Sequence, residues 1–404
     1  MMMNQILFVD DEQKILDGLR RNLRSMRDQW TMMFACGGEE ALTMMEGAAV
    51  DVIVSDMRMP GMDGAELLRQ VQQRHPHVIR VILSGQSDKE MVLESIGSTH
   101  LFLSKPCEKE ALQATIERAC ALRAILQDKG LRALVGRMRS IPSMPKLYAE
   151  IKSLVESDQW SLKEVGQIIS RDVGMTARVL QVVNSAYFGT AENISTIEQA
   201  VNFLGVDVIE SLALSEHVFS KCSDELVEMF PIDRLWLEGA GTGTLAREIA
   251  RAEQRPLVEV EQAFIAGLLH DTGILMFAIN HSRRYRAVLD KAQAQQRKIT
   301  EVEQKEFNSS HAEVGAYLLG LWGVSEAIVE AVALHHRPGD SGGTGFTPLT
   351  AVHAADVLYQ EVAGAIIDCP PSLLDMAYLE RANVADRVPQ WRELASQLIQ
   401  EVKS

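Results

Sequence analysis

Cysteine is scarce: five residues in 404 (Cys36, Cys107, Cys120, Cys222 and Cys369), scattered and with no C-x-x-C pair. That excludes a disulfide framework and a zinc knuckle, and it suits a reducing compartment. Positive charge is short as well, with 40 Lys and Arg against 55 Asp and Glu, a formal net charge of −15 and a pI near 5.2. Gripping a phosphate backbone takes concentrated Lys and Arg, so no nucleic-acid partner is expected. The opening Met1-Met-Met-Asn-Gln-Ile6 lacks the basic region and long apolar core of a secretory signal. The most apolar window, Ala263–Ile279, has the length of a membrane helix but carries His270 and Asp271 near its centre, where lipid penalises them. The expectation is a cytoplasmic protein with no membrane partner. An apolar content of 47% and a charged content of 24% are ordinary for globular chains, and the length allows two or three domains.

What is present begins with alternation. Ile6–Val9 reads as a strand ending in Asp10, Asp11 and Glu12, and Gln13–Asp28 carries apolar residues at helical spacing. Strands follow at Thr31–Ala35, Val50–Ser55, Val78–Leu83 and His100–Leu103. Helices lie between them at Glu39–Met45, Ala65–Gln73 and Lys89–Ile96, and after them from Lys109 to about Gln127. This rhythm predicts a doubly wound, flavodoxin-like parallel sheet of five strands. The third strand delivers Asp56 at its carboxyl end, then the chain turns through Pro60, Gly61 and Gly64. Asp10, Asp11, Asp56, Ser84 and Lys105 all sit at strand ends that meet at the switch point of such a sheet. Three carboxylates converging there need a cation, and oxygen ligands suit Mg²⁺. With Mg²⁺ and Lys105 offsetting its charge, an incoming phosphoryl group can be taken by Asp56 as nucleophile, while the Ser84 hydroxyl binds phosphoryl oxygens.

Residues 4 to about 122 resemble the receiver domain of a two-component response regulator. The matching features are Asp10-Asp11, Asp56-Met-Arg-Met-Pro-Gly-Met-Asp-Gly64, Ser84-Gly85 and Lys105-Pro106. The resemblance implies phosphotransfer from a sensor histidine kinase to Asp56, with rearrangement of the Ser84 loop and of Phe102, a position often occupied by Tyr.

Beyond Pro106 an apolar stripe (Leu112, Ile116, Ala119, Leu122, Leu126) runs to an interruption at Gly130 and resumes at Leu131, Leu134, Val135 and Met138. Two readings stand: a long signalling helix that pairs with its copy in a homodimer, and an amphipathic helix packed on its own chain. Ile141-Pro-Ser-Met-Pro145 closes this connector. The expected division is 1–122 receiver, 123–140 helical connector and 141–404 output domain.

No alternating run is convincing after Pro145. Helical periodicity recurs in Lys146–Glu156, Leu162–Ser170, Met175–Asn184, Thr196–Leu204, Val208–Phe219, Glu238–Arg251, Val260–Leu268 and onward, which predicts an all-α bundle. Within it His270, Asp271, His311, His335, His336 and Asp356 could carry chemistry. An adjacent His and Asp on a buried helix are expensive unless paired or metal-bound. Four imidazoles and two carboxylates brought together by helix packing would suit one or two transition-metal ions, which could clamp a phosphodiester and activate water. The alternative is a relic site whose polar residues bond to one another. His353 reads as exposed or a helix neighbour, Asp172 and Asn184 as turn or cap residues, and Ser341-Gly-Gly-Thr-Gly345 as a flexible loop without a phosphate-binding lysine.

Residues 141 to about 370 resemble the HDOD branch of the HD superfamily of metal phosphohydrolases. The match rests on Ile141–Pro145, Ser170–Leu180, Asn184-Ser-Ala-Tyr-Phe-Gly189, Leu204-Gly205, Trp236, Gly267-Leu-Leu-His-Asp-Thr-Gly273, His311–Gly315 and His335-His-Arg-Pro338. The resemblance implies a regulatory output module. Where catalytic HD proteins carry their first histidine this chain has Glu238, which can still ligate a metal. The paired histidines are followed by Arg337-Pro-Gly-Asp-Ser-Gly-Gly343, without the Glu and Gly-Tyr-Pro of the HD-GYP cyclic-di-GMP phosphodiesterases. Two functions follow. One is a response regulator whose output domain binds a downstream protein or nucleotide ligand and holds Mn, Fe or Zn. The other is a phosphorylation-controlled phosphodiesterase acting on a cyclic dinucleotide or other nucleotide phosphodiester.

Overall fold

The computed structural model describes residues 3–85, 91, 95, 98–138, 150–151, 153–154, 160–183, 194, 196–204, 229–230, 232–364 and 372–403. The expected helices Lys89–Ile96, Lys146–Glu156 and Val208–Phe219, the Ile141–Pro145 turn, the Asn184–Gly189 loop and Gly205 lie wholly or largely outside the described residues. The chain forms two compact units, residues 1–139 and the bulk of residues 140–404.

In the first unit β1 (Asn4–Val9), β2 (Trp30–Ala35), β3 (Val52–Asp56), β4 (Ile79–Ser84) and β5 (Leu101–Ser104) form one parallel sheet in the order β2-β1-β3-β4-β5. Ile6, Leu7, Val52, Ile53 and Ile79 are completely buried, as strands covered by helices on both faces must be. The covering helices are α1 (Gln13–Asn22), α2 (Gly38–Gly47), α3 (Gly64–Arg74) and α4 (Lys109–Ile125). Asp63 caps α3, its carboxylate accepting from the Glu66 N–H at 2.8 Å. Gly64 is required because a Cβ there would collide with the Asp56 carbonyl. The turn after β3 is therefore drawn tight against the strand end that presents Asp56.

The connector differs from its expectation. The helix is interrupted at Leu126–Asp128 rather than at Gly130. Leu126 is extended, and Asp128 starts a new helix, α5 (Lys129–Arg137), by accepting from the Leu131 N–H at 2.8 Å. Gly130 lies inside the first turn of α5. A cap outweighs a glycine here because the freed N–H groups of a helix start gain a partner. Leu112, Ile116, Ala119, Leu122, Leu126, Leu131 and Val135 are buried, and α5 packs on α3 of its own unit. Buried Arg80 fastens the end of α5, donating to the Gly136 carbonyl at 2.7 Å and to the carbonyls of Val78 and Ser98.

The second unit is helical, with no strand among the described residues. It comprises α6 (Leu162–Ile169), α7 (Val173–Val183), helical residues 197–204, α8 (Ile232–Ala252), α9 (Leu257–Leu269), α10 (Thr272–Asn280), α11 (Ser282–Gln295), α12 (Ile299–Phe307), α13 (His311–Leu321), α14 (Glu326–Leu334), α15 (Pro348–Ala363), α16 (Met376–Arg381) and α17 (Val388–Lys403). Asp172 is a cap, accepting from the Met175 N–H at 2.7 Å. The apolar run 257–280 divides into α9 and α10 at His270-Asp271, and 83% of its most apolar window is buried inside the fold, which makes it the bundle's core. α8 packs closely on α9 and α15. A Cβ on Gly243 would lie 2.7 Å from the Phe264 carbonyl, and one on Gly267 would lie 2.7 Å from the Gly243 Cα, so the two backbones touch. This approach brings the Glu238 end of α8 beside the His270 end of α9.

Candidate functional sites

At the carboxyl ends of β1 and β3, one ligand atom each from Asp10, Asp11 and Asp56 falls within 4.8 Å of the others. Lys105 Nζ lies 2.7 Å from Asp56 Oδ1 and 3.4 Å from Asp10 Oδ2. Asp56 Oδ1 also accepts from the Met57 N–H at 2.8 Å, and Asp10 Oδ1 from the Glu12 N–H at 2.9 Å. Burial pushes the Asp56 carboxyl above its ordinary range, against the opposing pull of the Lys105 ammonium. Lys105 is raised above its ordinary value: burial works against its charge, but Asp56 and Asp10 prevail. The Ser84 hydroxyl is buried at the end of β4 with no hydrogen-bond partner among the described residues. Three carboxylates against one ammonium leave the site short of positive charge. Oxygen ligands and a free hydroxyl fit both Mg²⁺ and a phosphoryl group. All five strand-end residues are thus brought together. Phe102 is buried on β5.

In the helical unit, ligand atoms of Asp271, His311, His335 and His336 lie within 4.8 Å of one another. Asp271 is the hub. Its Oδ1 is 3.3 Å from His311 Nε2 and 3.9 Å from His335 Nε2, and its Oδ2 is 3.3 Å from His270 Nε2. Asp356 stands opposite, with Oδ1 3.6 Å from His270 Nε2 and Oδ2 3.9 Å from His336 Nδ1. His311 Nε2 is 3.0 Å from His336 Nε2.

The outer nitrogens are tied to the surrounding helices. His270 Nδ1 donates to the Gly267 carbonyl at 2.6 Å, His335 Nδ1 to the Val332 carbonyl at 2.8 Å, and His311 Nδ1 to Glu303 Oε2 at 2.8 Å. An imidazole that donates through Nδ1 turns the Nε2 lone pair inward, which is how metal-binding histidines are oriented. The Nε2 atoms of His270 and His335 and Oδ2 of Asp356 are buried without a hydrogen-bond partner among the described residues. Buried acceptors left in this way need protons or a cation. Burial lowers the basicity of His270, but Asp271, Asp356 and Glu238 outweigh it and raise its pKa to about 10. Burial, followed by the imidazoles of His336 and His270, holds His335 well below the ordinary value. Burial opposes ionisation of Asp271, yet His270, His311 and His335 keep its carboxyl well below the carboxylate range. Glu238 is buried and pushed up to about 8, by burial first and then by Asp271 and Asp356. It stands close enough to feel both carboxylates but is outside the four-residue ligand group.

Two participants were not expected. His353 is buried rather than exposed: its Nδ1 donates to the His335 carbonyl at 2.7 Å, and its Nε2 accepts from the Asp375 N–H at 2.9 Å. It falls three residues before Asp356 on the buried face of α15, a spacing that could have flagged it. Glu303 is completely buried, accepting from the Tyr285 hydroxyl at 2.7 Å and from the His311 N–H at 2.9 Å. It sits among Glu301 and Glu306, and nothing local distinguishes it.

Known proteins place both units. The response regulator receiver domain family matches residues 6–117, and the HDOD domain family matches residues 141–338. The chain is a two-component response regulator with an N-terminal receiver domain and a C-terminal HDOD output domain. It is 27% identical over 209 residues to an uncharacterized protein of Treponema pallidum, covering 51% of this chain and 39% of that one. It is 30% identical over 125 residues to the hydrogenase transcriptional regulatory protein HoxA of Cupriavidus necator, covering 30% of this chain and 25% of HoxA. The chain thus spans between a quarter and two fifths of the length of these curated relatives. Among solved structures, the MmoQ response regulator of Methylococcus capsulatus is 21% identical, with 63% of this chain and 98% of MmoQ covered and a TM-score of 0.48.

Proposed function

We propose that Asp56 is the phosphoacceptor, that Asp10, Asp11 and Asp56 hold Mg²⁺, and that the output domain answers the phosphorylation state. The observation carrying this reading is the convergence of three carboxylates, Lys105 and the unpartnered Ser84 hydroxyl at adjacent strand ends. Asp56 Oδ1 is held by Lys105 and the Met57 N–H, so Oδ2 is the oxygen free to attack. It displaces the imidazole of a phosphohistidine on a sensor histidine kinase: the P–N bond breaks, an acyl phosphate forms on Asp56, and the kinase histidine recovers its lone pair. Bound Mg²⁺ supplies charge neutralisation on the phosphoryl oxygens. Lys105 then exchanges its carboxylate partner for a phosphoryl oxygen, and Ser84 donates its hydroxyl to another. Acetyl phosphate added to the full chain tests this. Wild-type protein should gain one phosphoryl group, and Asp56→Asn should gain none.

A second reading concerns the output domain, and the orphaned Nε2 and Oδ2 atoms favour it. Asp271, His311, His335 and His336, flanked by His270 and Asp356, have the donor set for Mn, Fe or Zn. Glu238 is a further oxygen donor where the HD enzymes use histidine. Such an ion would supply Lewis acidity toward a phosphodiester of a nucleotide. Elemental analysis of protein made in metal-replete medium, followed by assay with cyclic dinucleotides, separates a metal-holding binding module from a phosphodiesterase. Less than a tenth of an equivalent of metal would remove both versions.

A further inference from the structure

A second concavity lies in the helical unit, on the far side of α8 from the His–Asp cluster. It is a cavity of about 970 Å³ walled by α6, the helical residues 197–204, α8 and α9. On α8 it is lined by Ala240, Thr244, Arg247 and Arg251, a stripe at four- and three-residue spacing. Glu238 precedes Ala240 by two residues, which places it about 200° around the helix axis. On α9 the lining residues Leu257, Glu261 and Phe264 again form one stripe, and His270 falls on the opposite side. One pair of helices therefore serves two separate sites.

The chemistry of this cavity differs from that of the cluster. In a chain of net charge −15, its walls carry Lys163, Arg171, Arg247 and Arg251 against only Glu198 and Glu261. Among the described residues, Glu248 lies 3.5 Å from Arg247 and 2.8 Å from Arg251, and Glu150 lies 3.2 Å from Arg171, so three guanidiniums share two carboxylates. Lys163 is exposed on α6 and has no ion pair among the described residues. The Arg247 guanidinium lies over the Phe264 ring at 5.0 Å, so a planar cation backed by an aromatic ring faces the space. Gln167, Gln199 and Asn202 add side-chain amides, each able to donate and accept at once.

We propose that this cavity binds a nucleotide bearing two or more phosphates. Lys163, Arg171 and Arg251 meet the phosphates, Arg247 stacks on the base, and the amides of Gln199 and Asn202 meet its edge. Charge alone would recruit inorganic polyphosphate equally well. The apolar wall of Leu162, Ile197 and Phe264 and the paired amides favour an added base.

The test uses the full chain and fluorescence anisotropy of methylanthraniloyl-labelled AMP-PNP and GMP-PNP, with unlabelled nucleotide, pyrophosphate and nucleoside as competitors. Saturable binding is expected, with the unlabelled nucleotide displacing probe at concentrations at least tenfold lower than pyrophosphate or nucleoside. Arg247→Gln should weaken binding about tenfold and Lys163→Glu at least about threefold. Lys163 is exposed, so its substitution leaves the fold intact and keeps the test decisive should Arg247→Gln fail to fold. Asp271→Asn should bind as wild type does, assigning the affinity to this cavity rather than to the cluster. No saturable binding up to millimolar nucleotide, wild-type affinity in Lys163→Glu, or loss of binding in Asp271→Asn would each overturn the proposal. Displacement by pyrophosphate as effective as by nucleotide would overturn the nucleotide assignment.

Discussion

The receiver pocket and the His–Asp cluster are both built around carboxylates, yet they are neutralised in opposite ways. Asp56 and Asp10 share one fixed ammonium, Lys105, which is itself 30% exposed and sits at the edge of a sheet. Among the described residues Asp271 and Asp356 are offset by imidazoles alone, and the nearly inaccessible side chains of His270, His311 and His335 leave water little access. A lysine is charged whatever arrives, so Lys105 can pair with a carboxylate or with a phosphoryl oxygen without changing its protonation state. An imidazole is charged or neutral according to what it faces, so the cluster's state is set by the proton or ion that it holds. The first site suits a repeated event, and the second suits a resident ligand.

Five substitutions test this contrast, in falling order of expected effect. Asp56→Asn should abolish labelling by acetyl phosphate, read as the mass increment of one phosphoryl group, while leaving the metal content of the output domain unchanged. Coupled loss of both would break the contrast. Asp271→Ala removes the hub of the cluster, and bound Mn, Fe or Zn should fall by more than about tenfold with phosphorylation of Asp56 preserved. Arg80→Leu strips the Gly136, Val78 and Ser98 carbonyls of their guanidinium donor in the interior, which should cost about 3 kcal/mol in urea unfolding and speed amide exchange across 129–137. His353→Phe keeps a ring at that position but loses both hydrogen bonds. Metal affinity should drop about tenfold by titration against a chelator, with little change in receiver stability. Asp128→Ala should cost about 1 kcal/mol by removing the cap of α5, and an effect near zero would show that α5 is held by packing alone.

Much of the receiver site was readable because its residues are defined by position along the strands. An aspartate at the end of a β-branched run, followed by Pro60, Gly61 and Gly64, has little freedom about where it points. The cluster was readable in part. His270-Asp271 and His335-His336 are conspicuous as polar pairs in apolar helices, and the structure brings them together with His311 and Asp356. Glu303 was not readable, since its role arises only when α12 packs so that one of several acidic residues meets His311 from behind. Of the two readings of His353, exposed or a helix neighbour, only the second survives; a lone histidine gives no sign of which helix face it occupies until α14 and α15 are packed. At the connector, Gly130 was the louder local signal and Asp128 the deciding one. Propensity places a weak residue, whereas a cap places a boundary.

The bond from Arg80 to the Gly136 carbonyl has a practical consequence for dissecting this chain. A fragment ending at residue 122 would omit all of α5, remove the Gly136 carbonyl from a buried guanidinium and bare the flank of α3 on which α5 packs. Such a fragment should be sticky and poorly behaved. A cut placed after Arg137 retains the acceptor and the apolar lid together, and is the shortest N-terminal piece whose purification and phosphorylation would represent the intact chain.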